Sequence, residues 1–485
     1  MNYKMMSRLI GQILFVESVF MFPALLISIF NREWIAVQGF LIGLAITVAV
    51  AAVLYLFGRK SSRGFFAREG LVCVGLSWVF ISLTGCLPFY FSREIPHFID
   101  ALFETVSGFT TTGASILPEV ESMSKGLLYW RSFSHWLGGM GVLVFLLAIA
   151  SGGGDDRKGF SMHLLRAESP GPNVGKLVPR MKQTARILYL LYIALTVADI
   201  IFLLIGRMPL FEAVCTAFGT AGTGGFGVKN DSIAGYSPYI QNVCTVFMLL
   251  FGVNFSCYYL LVLRRFKTVF KDEELLFYLF MVFGSVVLIV CNLKGFYGSQ
   301  GETIRHAAFQ VASITTTTGF ATTDFDMWPG FSKALLLGLM IVGASAGSTG
   351  GGFKCGRVLL VLKSLVRNVR KMVNPQRIQT VQINDRAMDE KVLDNTNGFL
   401  AAYVCILIVS FLLLSINGFS ITTNLSAVLA CFNNIGPGLE IVGPTGNYAM
   451  FSGVSKLVLI FDMLAGRLEI FPILILLSRS TWKHR

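Results

Sequence analysis

The feature that most restricts this chain is a short segment set between two long apolar runs. Residues 307–314 are apolar but too few to cross a bilayer, which takes about 20 residues in a helix. They lead into Thr-Thr-Thr-Thr-Gly-Phe at 315–320. Threonines ending on a glycine at membrane depth offer successive backbone carbonyls and hydroxyls with little side-chain bulk. Such an arrangement can replace the water shell of a small cation. It recurs as Thr110-Thr111-Thr112-Gly113, as Thr223-Gly224-Gly225-Phe226, and in degenerate form as Asn433-Asn434-Ile435-Gly436. Non-helical backbone inside a membrane is tolerated only where protein or a water-filled cavity surrounds it. Four such loops therefore imply one shared central cavity.

The recurrence has a period. Gly113, Gly225, Gly319 and Gly436 follow one another at intervals of 112, 94 and 117 residues. Six positions before each glycine stands a small residue, Ser107, Gly219, Ser313 or Ala430, as a crowded axis requires. Apolar runs at about 9–30 and 35–57 come first. Four pairs follow, at 70–91 with 127–150, 184–206 with 237–263, 274–293 with 331–362, and 397–416 with 452–478. Each pair encloses one short segment, near 97–109, 209–219, 303–314 and 420–432. The fold expected is an all-α membrane protein with ten transmembrane helices. It has four span–pore-helix–span repeats around a pseudo-four-fold pore, preceded by two extra spans. The expected divisions are 1–69, 70–151, 152–264, 265–363 and 364–485. Each short helix would run inward from the outer face and turn its partly negative C-terminus to the cavity, which favours a cation. A tight turn between helices is the competing reading, adequate for one copy and weak for four in register.

Composition agrees with the bilayer. The 485 residues are 54% hydrophobic and 14% charged, with mean hydropathy +0.67; soluble domains run at roughly 45–50% and 25%. The net charge of +13 raises the question of nucleic acid, and its distribution answers it. Of 40 Lys and Arg, 29 fall in alternate loops on one side, the asymmetry that sets membrane orientation. Both termini are expected in the cytoplasm, with the four glycine loops opening outward and no nucleic acid as partner. The longest basic loops, 152–182 and 363–391, are candidates for docking a cytosolic protein. The first run, at 9–30, is too long for a signal-peptide core and is read as a retained span. The nine cysteines include no Cys-x-x-Cys and read as small core residues. The five histidines have no ligand spacing, and no paired carboxylates or nucleophile lie in the spans, so nothing argues for an enzyme or a cofactor.

Two further stretches stand out. Residues 343–352 read Gly-Ala-Ser-Ala-Gly-Ser-Thr-Gly-Gly-Gly, with glycines at Gly343, Gly347, Gly350, Gly351 and Gly352. They cannot hold a straight helix, since each glycine costs about 1 kcal/mol against alanine. A phosphate loop is excluded because Phe353 separates Gly352 from Lys354. The stretch is read as an intramembrane loop acting as a movable constriction; a passive kink is the alternative. Arg467 lies midway along the last apolar run. An arginine at that depth is costly and faces a cavity or a partner, and it is assigned to the pore as a barrier to cations. A buried salt bridge to Asp462 or Glu469 is the alternative. Glu469 is about 200° further round a helix and would face another element. Glu104, Asp324 and Glu440 fall near the expected mouth, either enriching cations or simply solvated.

Taken together, these residues resemble the Trk/Ktr/HKT superfamily of potassium transporters, and within it the TrkH-type membrane subunit of bacteria. The likeness rests on Trp130-Arg-Ser-Phe-Ser-His-Trp-Leu-Gly-Gly-Met-Gly141, Thr110-Thr-Thr-Gly113, Thr223-Gly-Gly-Phe226, Gly347-Ser-Thr-Gly-Gly-Gly-Phe-Lys354, Asn434-Ile-Gly-Pro-Gly-Leu439 and Gly466-Arg-Leu-Glu-Ile-Phe471. It covers essentially the whole chain. It implies a selectivity filter for K+ built from Thr110, Thr111, Thr112, Gly113, Thr223, Gly224, Gly225, Thr317, Thr318, Gly319, Asn434, Ile435 and Gly436. It makes 343–352 the gating loop and Arg467 the pore arginine. It also implies a homodimer in the plasma membrane and a TrkA-like cytosolic nucleotide-binding regulatory subunit. The family often carries glutamine at the position of His135. Gly224-Gly225 leaves the register of the second loop open by one residue. The expected function is potassium uptake through a channel-like pore, K+ being cargo rather than cofactor. Alternatives are a sodium or mixed sodium/potassium transporter of the same fold, an organic-solute transporter of inverted repeats, and a membrane-embedded enzyme.

Overall fold

The computed structural model describes residues 1–59, 67–139, 141, 181–376 and 379–482. These are almost wholly helical; the one sheet among them pairs Gln382–Ile383 with Arg386–Ala387. The first two helices, α1 (Tyr3–Phe30) and α2 (Trp34–Phe57), form an antiparallel pair. Glycines let their backbones touch: Gly11 lies against Ala51 and Tyr55, and Gly58 against Lys4 and Arg8. Without a hydrophobic force between helices in lipid, such close approach is what holds them.

A long helix, a short helix and a further helix, broken in the last three cases, then follow one another four times. The first set is α3 (Ala67–Gly85) with α4 (Leu87–Phe91), α5 (Phe98–Phe109) and α6 (Lys125–Gly139). The second is α7 (Met181–Ile205), α8 (Leu210–Gly222), then α9 (Pro238–Phe251) and α10 (Phe255–Val262). After the five-residue α11 (Phe266–Phe270) comes the third: α12 (Glu273–Asn292), α13 (Gln300–Thr315), then α14 (Gly330–Val342) and α15 (Cys355–Val373). The fourth is α16 (Glu390–Ser415), α17 (Ile421–Phe432), then α18 (Gly453–Arg467), α19 (Phe471–Leu477) and the terminal turn α20 (Arg479–Trp482). Several starts are marked by side-chain caps, which satisfy amides left open in the first turn. Asp272 Oδ1 accepts from the Leu275 N–H at 2.9 Å. Ser420 Oγ does the same for Thr423 at 3.0 Å.

Among the described residues, six helices are long and apolar enough to cross a bilayer: α1, α2, α3 with α4, the Arg186–Ile205 part of α7, α12 and α16. Three of the other expected runs depart from straight helices. The run at 237–263 breaks at 252–254 and bends by 89° between α9 and α10. The run at 452–478 is interrupted by Glu469 and Ile470, both at positive φ. The run at 331–362 breaks at its glycine-rich stretch, as its composition requires. Of the run at 127–150, α6 ends at Gly139 and the remainder, Gly141 aside, lies outside the described residues, as do 152–180 of the first candidate docking loop. The second such loop forms the end of α15 and the small hairpin. The cysteines are free thiols; Cys291 and Cys405 face outward and the other seven are buried.

Candidate functional site

The short helices α5, α8, α13 and α17 end in one shared backbone pattern. Just past the helix a residue turns left-handed: Thr111 (φ 56°), Thr223 (φ 53°), Thr317 (φ 58°) and Asn434 (φ 55°). Two residues on, a glycine does so again: Gly113 (φ 77°), Gly225 (φ 76°), Gly319 (φ 85°) and Gly436 (φ 94°). The amide between them bonds back to the last helical turn. Thr112 donates to the Ser107 carbonyl at 2.9 Å, and Gly224 to Gly219, Thr318 to Ser313 and Ile435 to Ala430 at 2.8 Å. This is the helix-ending bond in which a left-handed residue closes a six-residue loop. Its acceptors are the four small residues spaced six before each glycine. The common conformation fixes the register of the second loop at Gly225. Holding threonine or asparagine left-handed costs on the order of 1–3 kcal/mol each, so the surroundings must enforce it.

The four turns close into a ring. A Cβ added to Gly113 would fall on the carbonyl oxygen of Gly224, one on Gly225 on that of Thr318, and one on Gly319 on that of Ile435. A Cβ on Gly436 would lie 2.7 Å from the carbonyl oxygen of Thr112. Each glycine thus makes room for the peptide oxygen of the next loop, and the fourth returns to the first. Any side chain here would open the ring.

The threonine hydroxyls do not all face the centre, a departure from the sequence reading. Thr110 and Thr112 bond each other at 2.8 Å, as do Thr316 and Thr318. Asn434 Nδ2 donates to Thr112 Oγ1 at 2.9 Å, joining fourth turn to first. Thr223 Oγ1 donates to the Gly222 carbonyl at 2.6 Å. By contrast, Thr111 Oγ1 and Asn434 Oδ1, at equivalent left-handed positions in adjacent turns, are buried with no hydrogen-bond partner among the described residues. Buried oxygens normally find partners. The Asn434 amide is turned to α18, its Nδ2 also donating to the Met463 carbonyl at 3.0 Å, so it is the ring of peptide carbonyls, at the negative ends of four helices, that forms a surrounding suited to a bare cation.

The glycine-rich stretch between α14 and α15 packs directly against this ring. Gly343, Gly347 and Gly352 are left-handed. The Gly351 N–H donates to Thr317 Oγ1 at 2.6 Å. A Cβ on Gly350 would lie 2.8 Å from the Thr316 carbonyl oxygen, and one on Gly351 would fall on the carbonyl of Asn433. Other bonds hold the stretch from the side: Ser345 N–H to the Gly252 carbonyl at 3.1 Å and Ala346 N–H to Glu274 Oε1 at 2.6 Å. Lys354, itself buried, donates to the Gly350 carbonyl.

Arg467 reaches backbone carbonyls, and neither Asp462 nor Glu469 is its partner. Its guanidinium donates to the Thr349 carbonyl at 2.9 Å and to Gly139 at 2.7 Å, and also to Gly138. It therefore straps the glycine-rich stretch to the end of α6. The carboxylates weighed as partners are engaged elsewhere: Glu469 pairs with Arg357, at the start of α15, and Asp462 accepts from Ser410 Oγ at 2.6 Å.

Glu104 is corrected most. It does not face a mouth but is buried, paired with Arg131 at 2.6 Å. It also accepts from Ser115 Oγ at 3.0 Å and from the Ile116 N–H at 2.9 Å, anchoring the chain that leaves Gly113. Asp324 caps a short turn through the Asp326 N–H at 3.0 Å. Glu440 is exposed; the hydroxyls of Ser420 and Thr423 hold its carboxyl below the usual carboxylate range.

Sequence reasoning left two residues without roles. Tyr448 donates its hydroxyl to the Gly436 carbonyl at 2.7 Å, a contact with no sequence signal. His135, four residues after Arg131 and so on the same face of α6, lies between the first and second turns. That spacing was readable; the partners were not.

Residues 36–483 match the family model TrkH, described as cation transport protein. The Trk system potassium uptake protein TrkH of Salmonella typhimurium is 35% identical, over 100% of both chains. The Trk system potassium uptake protein TrkG of Escherichia coli is 30% identical, over 99% of both. The crystal structure of the potassium transporter TrkH from Vibrio parahaemolyticus matches with TM-score 0.88 at 31% identity, covering 100% of each chain.

Proposed function

The chain belongs to the TrkH family of cation transport proteins, and on that premise we propose that it carries potassium into the cell. The peptide oxygens of the ring through Gly113, Gly225, Gly319 and Gly436, with those of the threonines and asparagine before them, replace the ion's hydration shell. The observation that carries this reading is the ring's closure, each glycine giving its side-chain space to the next loop's carbonyl. The names and full-length similarity of the Trk system relatives support potassium as the cargo.

In this reading the protein has ten spans, and α5, α8, α13 and α17 are pore helices in four like-oriented repeats. Lys and Arg are concentrated in alternate loops, which supports cytoplasmic termini and a filter opening outward. The inside-negative potential of the plasma membrane then drives uptake by about 2.3 kcal/mol per charge per 100 mV. The glycine-rich stretch at 343–352 is the gate, closed by its bond to Thr317 and by the Arg467 strap. A homodimer with a TrkA-like cytosolic nucleotide-binding subunit, implied by the family resemblance, controls opening.

Rubidium uptake into proteoliposomes, with sodium and potassium as competitors, tests the cargo. Inhibition by potassium well below the effective sodium concentration is expected. Equal inhibition would turn the assignment to a mixed sodium/potassium transporter.

A further inference from the structure

We propose that His135 is a specificity-determining positioning residue: it sets the spacing between the first and second turns of the ring and thereby sharpens discrimination among monovalent cations. This rests on the filter reading above.

The imidazole is fully buried. Its Nδ1 lies 2.7 Å from the Gly108 carbonyl of α5, which leads into the first turn. Its Nε2 accepts the Phe226 N–H at 3.2 Å, immediately after Gly225 of the second turn. An amide can only donate, so Nε2 is the acceptor and Nδ1 carries the proton. One neutral ring therefore donates to one quarter of the ring and accepts from the next. The Phe226 side chain packs on it at 4.2 Å between centroids.

Gly224 supplies a second, independent observation. A Cβ there would fall on the His135 ring. Gly224 is thus glycine for a different reason from Gly225: the imidazole occupies the space its side chain would need. The Gly224 carbonyl is also the oxygen that meets Gly113. His135 consequently backs the residue whose peptide oxygen forms the junction between turns one and two.

All four junctions have direct links between the loops; between one and two the Val120 N–H donates to Asn230 Oδ1 at 2.7 Å and the Asn230 N–H to Glu121 Oε1 at 3.1 Å. Asn434 bonds Thr112 between turns four and one. The Ile233 N–H bonds the Ala321 carbonyl at 3.0 Å between two and three, and the Glu440 N–H bonds Asp326 Oδ2 at 3.2 Å between three and four. Between turns one and two, His135 adds a bridge from α6 next to the turns themselves. An apolar residue in its place would leave the Phe226 N–H and Gly108 carbonyl without this partner.

The experiment uses full-length protein in proteoliposomes and reads the ratio of sodium to potassium concentrations that halve rubidium uptake. His135→Leu is expected to lower that ratio about tenfold, since the Phe226 N–H is left unpaired, at about 1–3 kcal/mol, while the Gly108 carbonyl keeps the Thr111 N–H at 3.1 Å. His135→Gln, whose amide both donates and accepts, should stay within about twofold of the parent. Gly224→Ala should lower the ratio as well, and adding His135→Ala to it should restore part of the loss, because the clash is then removed. If His135→Leu loses the folded protein, the Gly224→Ala pair carries the test. A parental ratio in His135→Leu, or in Gly224→Ala, would overturn the proposal. So would equal loss in His135→Gln and His135→Leu. A parent protein that does not discriminate at all would instead defeat the filter reading.

Discussion

The Thr317 hydroxyl accepts a 2.6 Å hydrogen bond from the Gly351 backbone N–H, tying the third turn of the ring to the glycine-rich stretch. Both groups are buried, so neither has water as a substitute. Moving the stretch away from the ring breaks this bond and leaves the amide without its acceptor, at about 1–3 kcal/mol. The proposed gate and the proposed filter therefore share one bond.

Thr317→Ala deletes the acceptor and should favour the displaced stretch. Rubidium uptake without any cytosolic partner is expected to rise several-fold. Thr317→Ser keeps the hydroxyl and should behave like the parent. Equal uptake by the two variants would separate the bond from gating.

Arg467 makes the same kind of argument at Thr349 of the stretch. Its bonds to Thr349, Gly138 and Gly139 use several donors of a planar fork, which a lysine ammonium cannot reproduce. Arg467→Ala should raise flux by removing both strap and positive charge. Arg467→Lys should fall between, keeping charge but not geometry. Uptake assays at matched protein density read the difference; parental flux in Arg467→Ala would show that the guanidinium restrains nothing.

The Glu104–Arg131 pair gives a stability prediction. Its carboxylate holds Ser115 and Ile116, and its guanidinium donates to the Gly227 carbonyl at 2.9 Å. Glu104→Leu leaves a buried guanidinium uncompensated, which costs about 3–5 kcal/mol. The thermal midpoint of the detergent-solubilised protein should drop by several degrees, and Glu104→Leu with Arg131→Leu should drop it less than the single change. A single variant as stable as the parent would mean that the pair is solvated.

These cases mark what the sequence could and could not reveal. The ring glycines and the small residues six before them were readable because backbone geometry demands those residue types. Gly224 was ambiguous because its glycine answers to a histidine 89 positions earlier in the chain. The break at Glu469 and Ile470 was not readable: neither residue is a helix breaker, and Glu469 is held by Arg357, far away in sequence. Arg467 was seen as exceptional, but carbonyl partners leave no trace in composition. Glu104 looked like a mouth residue by position alone, and only Arg131 beside it reveals a structural ion pair.

The ring itself is tested at Gly113. Its φ of 77° is one that non-glycine residues adopt at a cost, and its missing Cβ is the space of the Gly224 carbonyl oxygen. Gly113→Ser must therefore move one loop or the other. The hydroxyl would add a polar atom at the rim without restoring the displaced carbonyl, so a cation would meet a wider, less uniform set of oxygens. Sodium should then compete with rubidium at lower concentration, while total uptake falls less than discrimination does. Gly225→Ser and Gly319→Ser break equivalent junctions and should move selectivity in the same direction. Native discrimination in all three variants, at native protein levels, would mean that the closed ring does not choose the ion.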